Sequence, residues 1–392
     1  MGQQQSNRQF RQTLSSAQRI VVKVGSGVLV GEGQELDRTR IGRLVESLAR
    51  LLQKQHQIIL VTSGAVAAGA PAMGLIGSPK TIPQKQACAA IGQNLLMALY
   101  EQLFSLQDHH TAQILLTQDD FRNRERYLNA RNTLETLLSA RILPIVNEND
   151  TVVVEEIKFG DNDNLSSQVA ALVQADLLLI LSTVEGFYEP PAPGTSEHPK
   201  IIPTVSQIDD THFGYAQDVD SPSGVSTGGM RSKLIAIEKA AHYGIPSVLA
   251  SGLNPGVIER VLAGDEKGTL FLPLEERLSA RKHWIFHSLS PVGSLTVDSG
   301  AVRAILEQGK SLLAIGIASV SGKFGSGNAV RVLGPDGKEI ARGLSYYSSA
   351  EVEIIKGGRS DEIESRLGYT YYDEVIHRDN LVPVNRGAGP RQ

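Results

Sequence analysis

Two short stretches, Asn147-Glu148-Asn149-Asp150 and Gly160-Asp161-Asn162-Asp163-Asn164, crowd carboxylates and amides just after the apolar run Ile142–Val146. Such a set can hydrogen-bond a small polar zwitterion, or hold Mg²⁺ through carboxylate oxygens. It can equally be a polar turn, because Asn, Asp and Gly are ordinary turn formers. A second group lies earlier. Lys23 interrupts the apolar run Ile20–Val24, which feeds directly into Gly25-Ser26-Gly27. Glycines there let backbone N–H groups approach an anion without Cβ clashes. This is a phosphate-loop candidate, but no Gly-Lys-Ser/Thr closes a Walker pattern. A lysine within an apolar run can also mark an edge strand or a snorkelling side chain. Ser63, in Thr62-Ser63-Gly64-Ala65, could bond a ligand or cap the helix that follows. Finally, Thr227-Gly228-Gly229-Met230-Arg231-Ser232-Lys233 opens a helix on a Gly-Gly turn, a second anion candidate. Lys233, one turn in, adds a mobile positive charge.

The elements that must position these groups alternate regularly. Apolar strands are expected at Ile20–Val24, Ile58–Val61, Ile114–Leu116, Leu143–Val146, Leu177–Leu181 and Ile245–Ala250. Helices are expected between them. One starts at Asp37 as N-cap and runs on Ile41, Leu44, Val45, Leu48, Leu51 and Leu52. Another spans Pro83–Phe104, with Ile91, Leu95, Leu99 and Leu103 four apart. Thr117–Arg131 reads as a solvated, ion-paired helix face that continues through Asn132–Leu138. Leu165–Ala175 is helical, and Val152–Ile157 suggests a hairpin beside the acidic cluster. The pattern implies an α/β fold: a mainly parallel open sheet covered by helices on both faces. Ligands bind such sheets at the C-terminal edge, where the Asn147–Asp150 cluster after Ile142–Val146 is expected to fall. Beyond Trp284 the texture changes to short β-rich runs: Ser294–Val297, Ala314–Val320, Ala329–Val332, Glu339–Gly343 and Val352–Ile355. The expected division is a loose tail at 1–18, an α/β domain at 19–275, a linker at 276–283, a small β-rich domain at 284–380 and a frayed tail at 381–392.

Composition narrows the function classes. At 392 residues two domains are the default, and 41% apolar residues suffice for real cores. A net charge of −4 implies no general affinity for nucleic acid or membranes. No apolar run approaches the roughly 20 residues that span a bilayer. The single cysteine, Cys88, lies in an alanine-rich helical setting and is expected to be a packed thiol, which fits a reducing compartment.

Taken in order, Val22-Lys23-Val24-Gly25-Ser26, Val61-Thr62-Ser63-Gly64-Ala65, Asn147-Glu148-Asn149-Asp150, Gly160-Asp161-Asn162-Asp163-Asn164-Leu165 and Thr227-Gly228-Gly229-Met230-Arg231-Ser232-Lys233 resemble the glutamate 5-kinase group of the amino-acid kinase family. The C-terminal part, with Gly293–Val297 and Gly309–Gly316, is similar to a PUA domain. The resemblance covers residues 19–380. It implies the amino-acid kinase fold followed by a PUA-like domain. It also implies transfer of the ATP γ-phosphoryl group to the side-chain carboxylate of L-glutamate, at the entry to proline biosynthesis. Mg²⁺, feedback by proline, a homo-oligomer (dimer or tetramer) and a cytoplasmic location are implied with it.

By motif match, Lys23, Lys233 and Asp163 would be catalytic, with Asp163 holding both ammonium groups. Lys23, Gly25, Ser26, Ser182, Thr183, Thr227, Gly228, Gly229, Met230, Arg231, Ser232 and Lys233 would bind ATP. Ser63, Gly64, Asn147, Asp150, Asp161 and Asn162 would bind glutamate. No metal ligand is assigned. One departure stands out: Ser182-Thr183 occupies the place where the family commonly has Thr-Asp, so a carboxylate that could bond the nucleotide is missing. Two other readings are kept. One is another carboxylate kinase of this fold, acting on aspartate or acetylglutamate. The other is an RNA-binding or RNA-modification protein working through the PUA-like domain. Arg303, Lys310, Lys323 and Arg331 could form a basic patch there, but no dense basic run supports more than weak, non-specific RNA affinity.

Overall fold

The computed structural model describes residues 2–31, 35–75, 79–152, 161–190, 198–216, 229–274 and 291–384. The chain divides into two compact units, Met1–Phe121 with Ala130–Glu275, and Arg122–Asn129 with Glu276–Gln392. In the first unit the strands are β1 Arg19–Val24, β2 Gln57–Val61, β3 Thr111–Leu116, β4 Leu143–Glu148, β5 Leu177–Ser182, β6 Tyr188–Glu189, β7 Lys200–Ile201, β8 Thr204–Val205, β9 Ser247–Ser251 and β10 Thr269–Phe271. Among the described residues, eight of them form one sheet in the order β3-β4-β2-β1-β5-β9-β10-β8. Every neighbouring pair is parallel except β9 with β10. The mainly parallel sheet is therefore as expected. β1 and β5 are almost wholly buried apolar strands, as central parallel strands covered on both faces must be.

The helices up to residue 275 are α1 Gly2–Thr13, α2 Ser26–Leu29, α3 Arg38–Gln53, α4 Ala65–Gly69, α5 Ile82–Ser105, α6 Gln118–Arg122, α7 Arg124–Ser139, α8 Asp161–Leu172, α9 Asp210–Tyr215, α10 Met230–His242 and α11 Val257–Leu262, of which Arg122–Asn129 of α6 and α7 belongs to the second unit. The period of two along β1 sends alternate side chains to opposite faces. Ile20, Val22 and Val24 join one core with apolar residues of α3, α5 and α11. Lys23 points to the other face, where α8 packs against β1, β4 and β5, and also against α10. That alternation aims a lysine at α8. The Asp37 carboxylate caps α3 by accepting from Thr39 N and Arg40 N, as expected.

Helix α5 differs from its apolar spacing. Ile91 and Leu95 are exposed, while Cys88, Ala89, Gly92, Gln93, Leu96 and Tyr100 are buried. The reason is a close helix crossing. A Cβ on Gly92 would lie 1.8 Å from Ala65 O, so only glycine lets α5 reach α4. Small residues thus take the inward face and displace the larger ones. Cys88 is a buried free thiol, as expected. The charged stretch 117–131 is two helices, α6 and α7, broken at Asn123. The hairpin expected at Val152–Ile157, the linker at 276–283 and most of the C-terminal tail lie outside the described residues.

The N-terminal segment is not a loose tail. Gly2–Thr13 is helical, and Arg11 is only 2% exposed. Its guanidinium donates to Pro203 O at 2.6 Å and to the carbonyls of Asp265, Lys267 and Gly268. One charged group there satisfies four carbonyls around β8 and β10, which composition could not reveal. Arg11→Ala should lower the unfolding free energy by about 2–3 kcal/mol, read from the urea midpoint, because those carbonyls lose a charged donor.

In the second unit, β11 Gly293–Val297, β12 Ile317–Gly322, β13 Ala329–Leu333, β14 Glu339–Leu344 and β15 Leu381–Pro383 form a sheet in the order β12-β11-β13-β14-β15. Helices α12 Ser299–Leu306, α13 Ser349–Ile355 and α14 Ile363–Leu367 accompany it. Leu295, Val330, Val332, Tyr347, Val352 and Ile355 share its core. Three expectations are corrected. Val352–Ile355 is helical because Ser348 and Glu351 form a reciprocal capping box, which starts a helix despite the β-branched residues. Ala314–Gly316 is a 3₁₀ turn, so that strand begins at Ile317. Leu381–Pro383 pairs with β14 and does not fray.

Candidate active site

The site is built where β1, α8 and α10 meet. Lys23 on β1 lies opposite Val61 and Ile180 of its two neighbours, so β1 is an interior strand and not an edge. With Lys23 4% exposed, neither an edge strand nor snorkelling describes it. Asp163, two residues into α8, is 1% exposed. Its Oδ1 lies 2.5 Å from Lys23 Nζ and its Oδ2 lies 3.1 Å from Lys233 Nζ. Ser232 Oγ donates to the same Oδ2 at 2.9 Å. Ser166 Oγ donates to the Asp163 carbonyl at 2.6 Å and holds that turn of α8. The three side chains expected to work together, Lys23, Lys233 and Asp163, therefore form one buried cluster.

The electrostatics follow from burial and pairing. Burial lowers the Lys23 pKa, the Asp163 carboxylate opposes that fall, and the Lys233 ammonium adds to it; the net is below the ordinary lysine value. For Asp163, burial alone would raise the pKa. The two ammonium groups and their hydrogen bonds outweigh it and hold the carboxyl below its usual value, so it is ionised at neutral pH.

The amide side of the site lies one and two strands away. Asn162, next to Asp163, donates from Nδ2 to Ser63 Oγ at 3.1 Å, directly after β2. Ser63 thus faces Asn162, and no side chain caps α4. That helix starts at Gly64, whose φ of 97° suits glycine. Asn162 Oδ1 is buried with no hydrogen-bond partner among the described residues. Asn147 is 1% exposed on β4, which extends to Glu148. Its Nδ2 donates to Gln93 Oε1 at 2.8 Å, and its Oδ1 accepts from Glu148 N at 2.9 Å. Asp150 is half-buried in the turn after β4. Asp161 heads α8, so the Asp161–Asn164 stretch is the first helical turn and not a loop; the Asp161 side chain lies outside what is described.

A third group of residues surrounds the Gly25 loop. Gly25 N donates to Leu181 O at 3.1 Å, and Ser26 begins α2. A Cβ on Gly25 would stand 3.6 Å from Lys23 Nζ. A Cβ on Gly27 would stand 2.9 Å from Thr183 Cγ2, so Ser182-Thr183 lies against this loop. Gly229 is the N-cap of α10, Met230 is buried, and Arg231 turns to the Phe213 ring at 5.4 Å. Thr227 and Gly228 lie outside the described residues.

Among the described residues, no three His, Cys, Asp or Glu side chains are placed to hold a metal ion. Both Asp163 oxygens face lysines, so this carboxylate does not suit a cation.

Residues 18–251 match the model of the amino acid kinase family. The chain belongs to the amino acid kinase family. Residues 293–367 match the PUA domain, in the β-rich second unit. Glutamate 5-kinase from Trichlorobacter lovleyi is 52% identical over 95% of this chain and 98% of its own length. Glutamate 5-kinase from Geobacter sulfurreducens is also 52% identical, over 94% of this chain and 98% of its own. Among solved structures, carbamate kinase from Giardia lamblia bound to AMP-PNP is 14% identical with a TM-score of 0.47, over 66% of this chain and 99% of that one.

Family motifs led to the lysines and the acidic cluster, but not to Gln93. Gln93 shares a face with Ala89, Leu96 and Tyr100 that is buried because Gly92 brings α5 onto α4, so the apolar spacing of the helix did not mark it, and a glutamine buried there needs a partner.

Proposed function

We infer that this chain is a glutamate 5-kinase, transferring the γ-phosphoryl group of ATP to the side-chain carboxylate of L-glutamate at the first step of proline biosynthesis. The supporting observation is the convergence of Lys23 and Lys233 on Asp163 at the C-terminal edge of the sheet, in a member of this family. A γ-carboxylate oxygen bonds to Pγ while the bond from Pγ to the ADP oxygen breaks. The products are L-glutamyl 5-phosphate and ADP. A carboxylate is already nucleophilic at neutral pH, so no base is needed. The difficulty is to bring two anions together and to stabilise charge on the transferring group. Lys23 and Lys233 supply that term, and Asp163 holds them in register.

ATP lies along Lys23, Gly25, Ser26, Ser182-Thr183 and the start of α10 from Gly229 to Lys233, and Thr227 and Gly228 join it by motif match alone. Glutamate lies along Ser63, Gly64, Asn147, Asp150, Asp161 and Asn162. Asp150 or Asp161 pairs with its α-ammonium group. Mg²⁺ carried by the ATP phosphates would offset part of their charge, and no residue of the chain is assigned to hold it. Proline as inhibitor, a homodimer or homotetramer and a cytoplasmic location complete the proposal. No described helix is long and apolar enough to cross a membrane. The PUA domain is assigned a structural or regulatory role in preference to RNA binding.

The test is an ATP-dependent hydroxamate assay, in which hydroxylamine traps the acyl phosphate, with and without proline. Glutamate should turn over faster than acetylglutamate or aspartate. Faster turnover of acetylglutamate would assign the chain to another carboxylate kinase. Asp150→Ala should raise the KM for glutamate about 10–100-fold with a smaller change in kcat, since it removes a charged hydrogen bond made equally in ground and transition states. An unchanged KM would take Asp150 out of the site.

A further inference from the structure

Helix α5 lies across the C-terminal ends of β2 and β4. Tyr100 OH on α5 bonds Thr62 Oγ1 at 2.9 Å at the end of β2, and Thr62 N donates to Val146 O of β4. Gly92 packs on Ala65 O, one residue beyond Gly64. The next residue, Gln93, is 9% exposed. Its orientation is set by its neighbours. Glu148 N–H fixes Asn147 Oδ1, which leaves Asn147 Nδ2 facing Gln93, so Gln93 must present Oε1 to it. Gln93 Nε2 is then a buried amide donor with no hydrogen-bond partner among the described residues. An unpaired buried donor is costly, and native structures rarely leave one without a reason.

The position supplies the reason. From Lys23 on β1 to Asn147 on β4 is two inter-strand spacings, about 10 Å. Between them lie Ser63 and Asn162. The cationic end of this row suits the carboxylate that reacts. The amide end suits a second, unreactive oxygen group on the same molecule. We propose that Gln93 selects the substrate: its Nε2 donates to the α-carboxylate of the amino acid, while its Oε1 holds Asn147 in place. The assignment rests on the glutamate kinase reading above and adds a residue to it. It makes an α-carboxylate, and not only a reactive side-chain carboxylate, a requirement of the site.

Gln93→Glu tests the donor alone. It keeps an oxygen for Asn147 Nδ2 and turns the Nε2 donor into an acceptor. Gln93→Leu removes both functions. Hydroxamate formation is measured with glutamate and with its α-amide, which keeps the reactive γ-carboxylate but lacks the α-carboxylate. Thermal midpoint and KM for ATP report on folding. In Gln93→Glu the KM for glutamate should rise about 10–100-fold while kcat and the KM for ATP stay within about threefold. The ratio of kcat/KM for the α-amide over glutamate should rise at least about tenfold, because the new carboxylate repels one and accepts from the other. Gln93→Leu should lose glutamate affinity without gaining the α-amide. If Gln93→Glu weakens glutamate and the α-amide equally, or leaves the glutamate KM unchanged, the assignment is overturned while the kinase reading stands. If the wild-type chain forms no hydroxamate from glutamate, both are overturned.

Discussion

Asp163→Asn should lower kcat at least about 100-fold and reduce the unfolding free energy by about 3–5 kcal/mol. Lys23 and Lys233 both rest on this carboxylate, at 2.5 and 3.1 Å, and all three groups are buried. Asparagine has the same shape but no charge. Two ammonium groups then face each other without their counter-ion, which is the costly way to break a buried pair. Each relaxes away from the other, and neither is aimed at the transferring phosphoryl group. The stability loss also has a pH signature. The folded pKa of Asp163 lies below 3.8, so its stabilising contribution is full above that unfolded value. It is lost as pH falls through the folded value. Urea midpoints of wild type and variant should therefore differ most at neutral pH and converge in acid. A variant with wild-type kcat would show that the lysines need no organiser. A stability gap that stayed constant from neutral to acid would show that the carboxylate is not charged in the fold.

Lys233→Ala should separate chemistry from stability. Its kcat should fall about 10²–10³-fold, while KM for glutamate and ATP move less, because the lost contact is made chiefly in the transition state. Stability should fall by under about 2 kcal/mol, much less than for Asp163→Asn. The asymmetry comes from charge. Removing Lys233 leaves Asp163 still paired with Lys23 and bonded by Ser232, whereas removing the carboxylate strips both cations of the partner they share. If only KM rose, Lys233 would be a ground-state ligand and the phosphoryl-stabilising role would fall. Lys233→Arg should not restore full activity, since a planar guanidinium cannot reproduce a compact ammonium against one carboxylate oxygen.

The chain's own pattern determined the mainly parallel sheet, the polar clusters at its C-terminal edge and the residues that match family motifs. These are local properties. A buried parallel strand must be apolar, a strand end that binds ligands must be polar, and Asp37 ahead of an apolar period marks a helix start. Tertiary structure decided which of these clusters meet. The Asp161–Asn164 stretch could equally have been a turn, a metal site or an amino-acid site. Its placement as the first turn of α8, facing Lys23 from β1 and Lys233 from α10, brings together groups 70 and 140 residues from Asp163 in the chain. No spacing rule encodes such a meeting. Ser63 was open between cap and ligand in the sequence; in the fold no side chain caps α4, and Ser63 Oγ accepts from Asn162 instead. The burial of Arg11 and the capping box that makes 349–355 helical depended on carbonyls and hydrogen bonds that composition does not describe. Gln93 was missed for the same reason. Its importance lies in the donor left over once Asn147 and Glu148 have fixed its orientation, and that remainder exists only when three elements have packed.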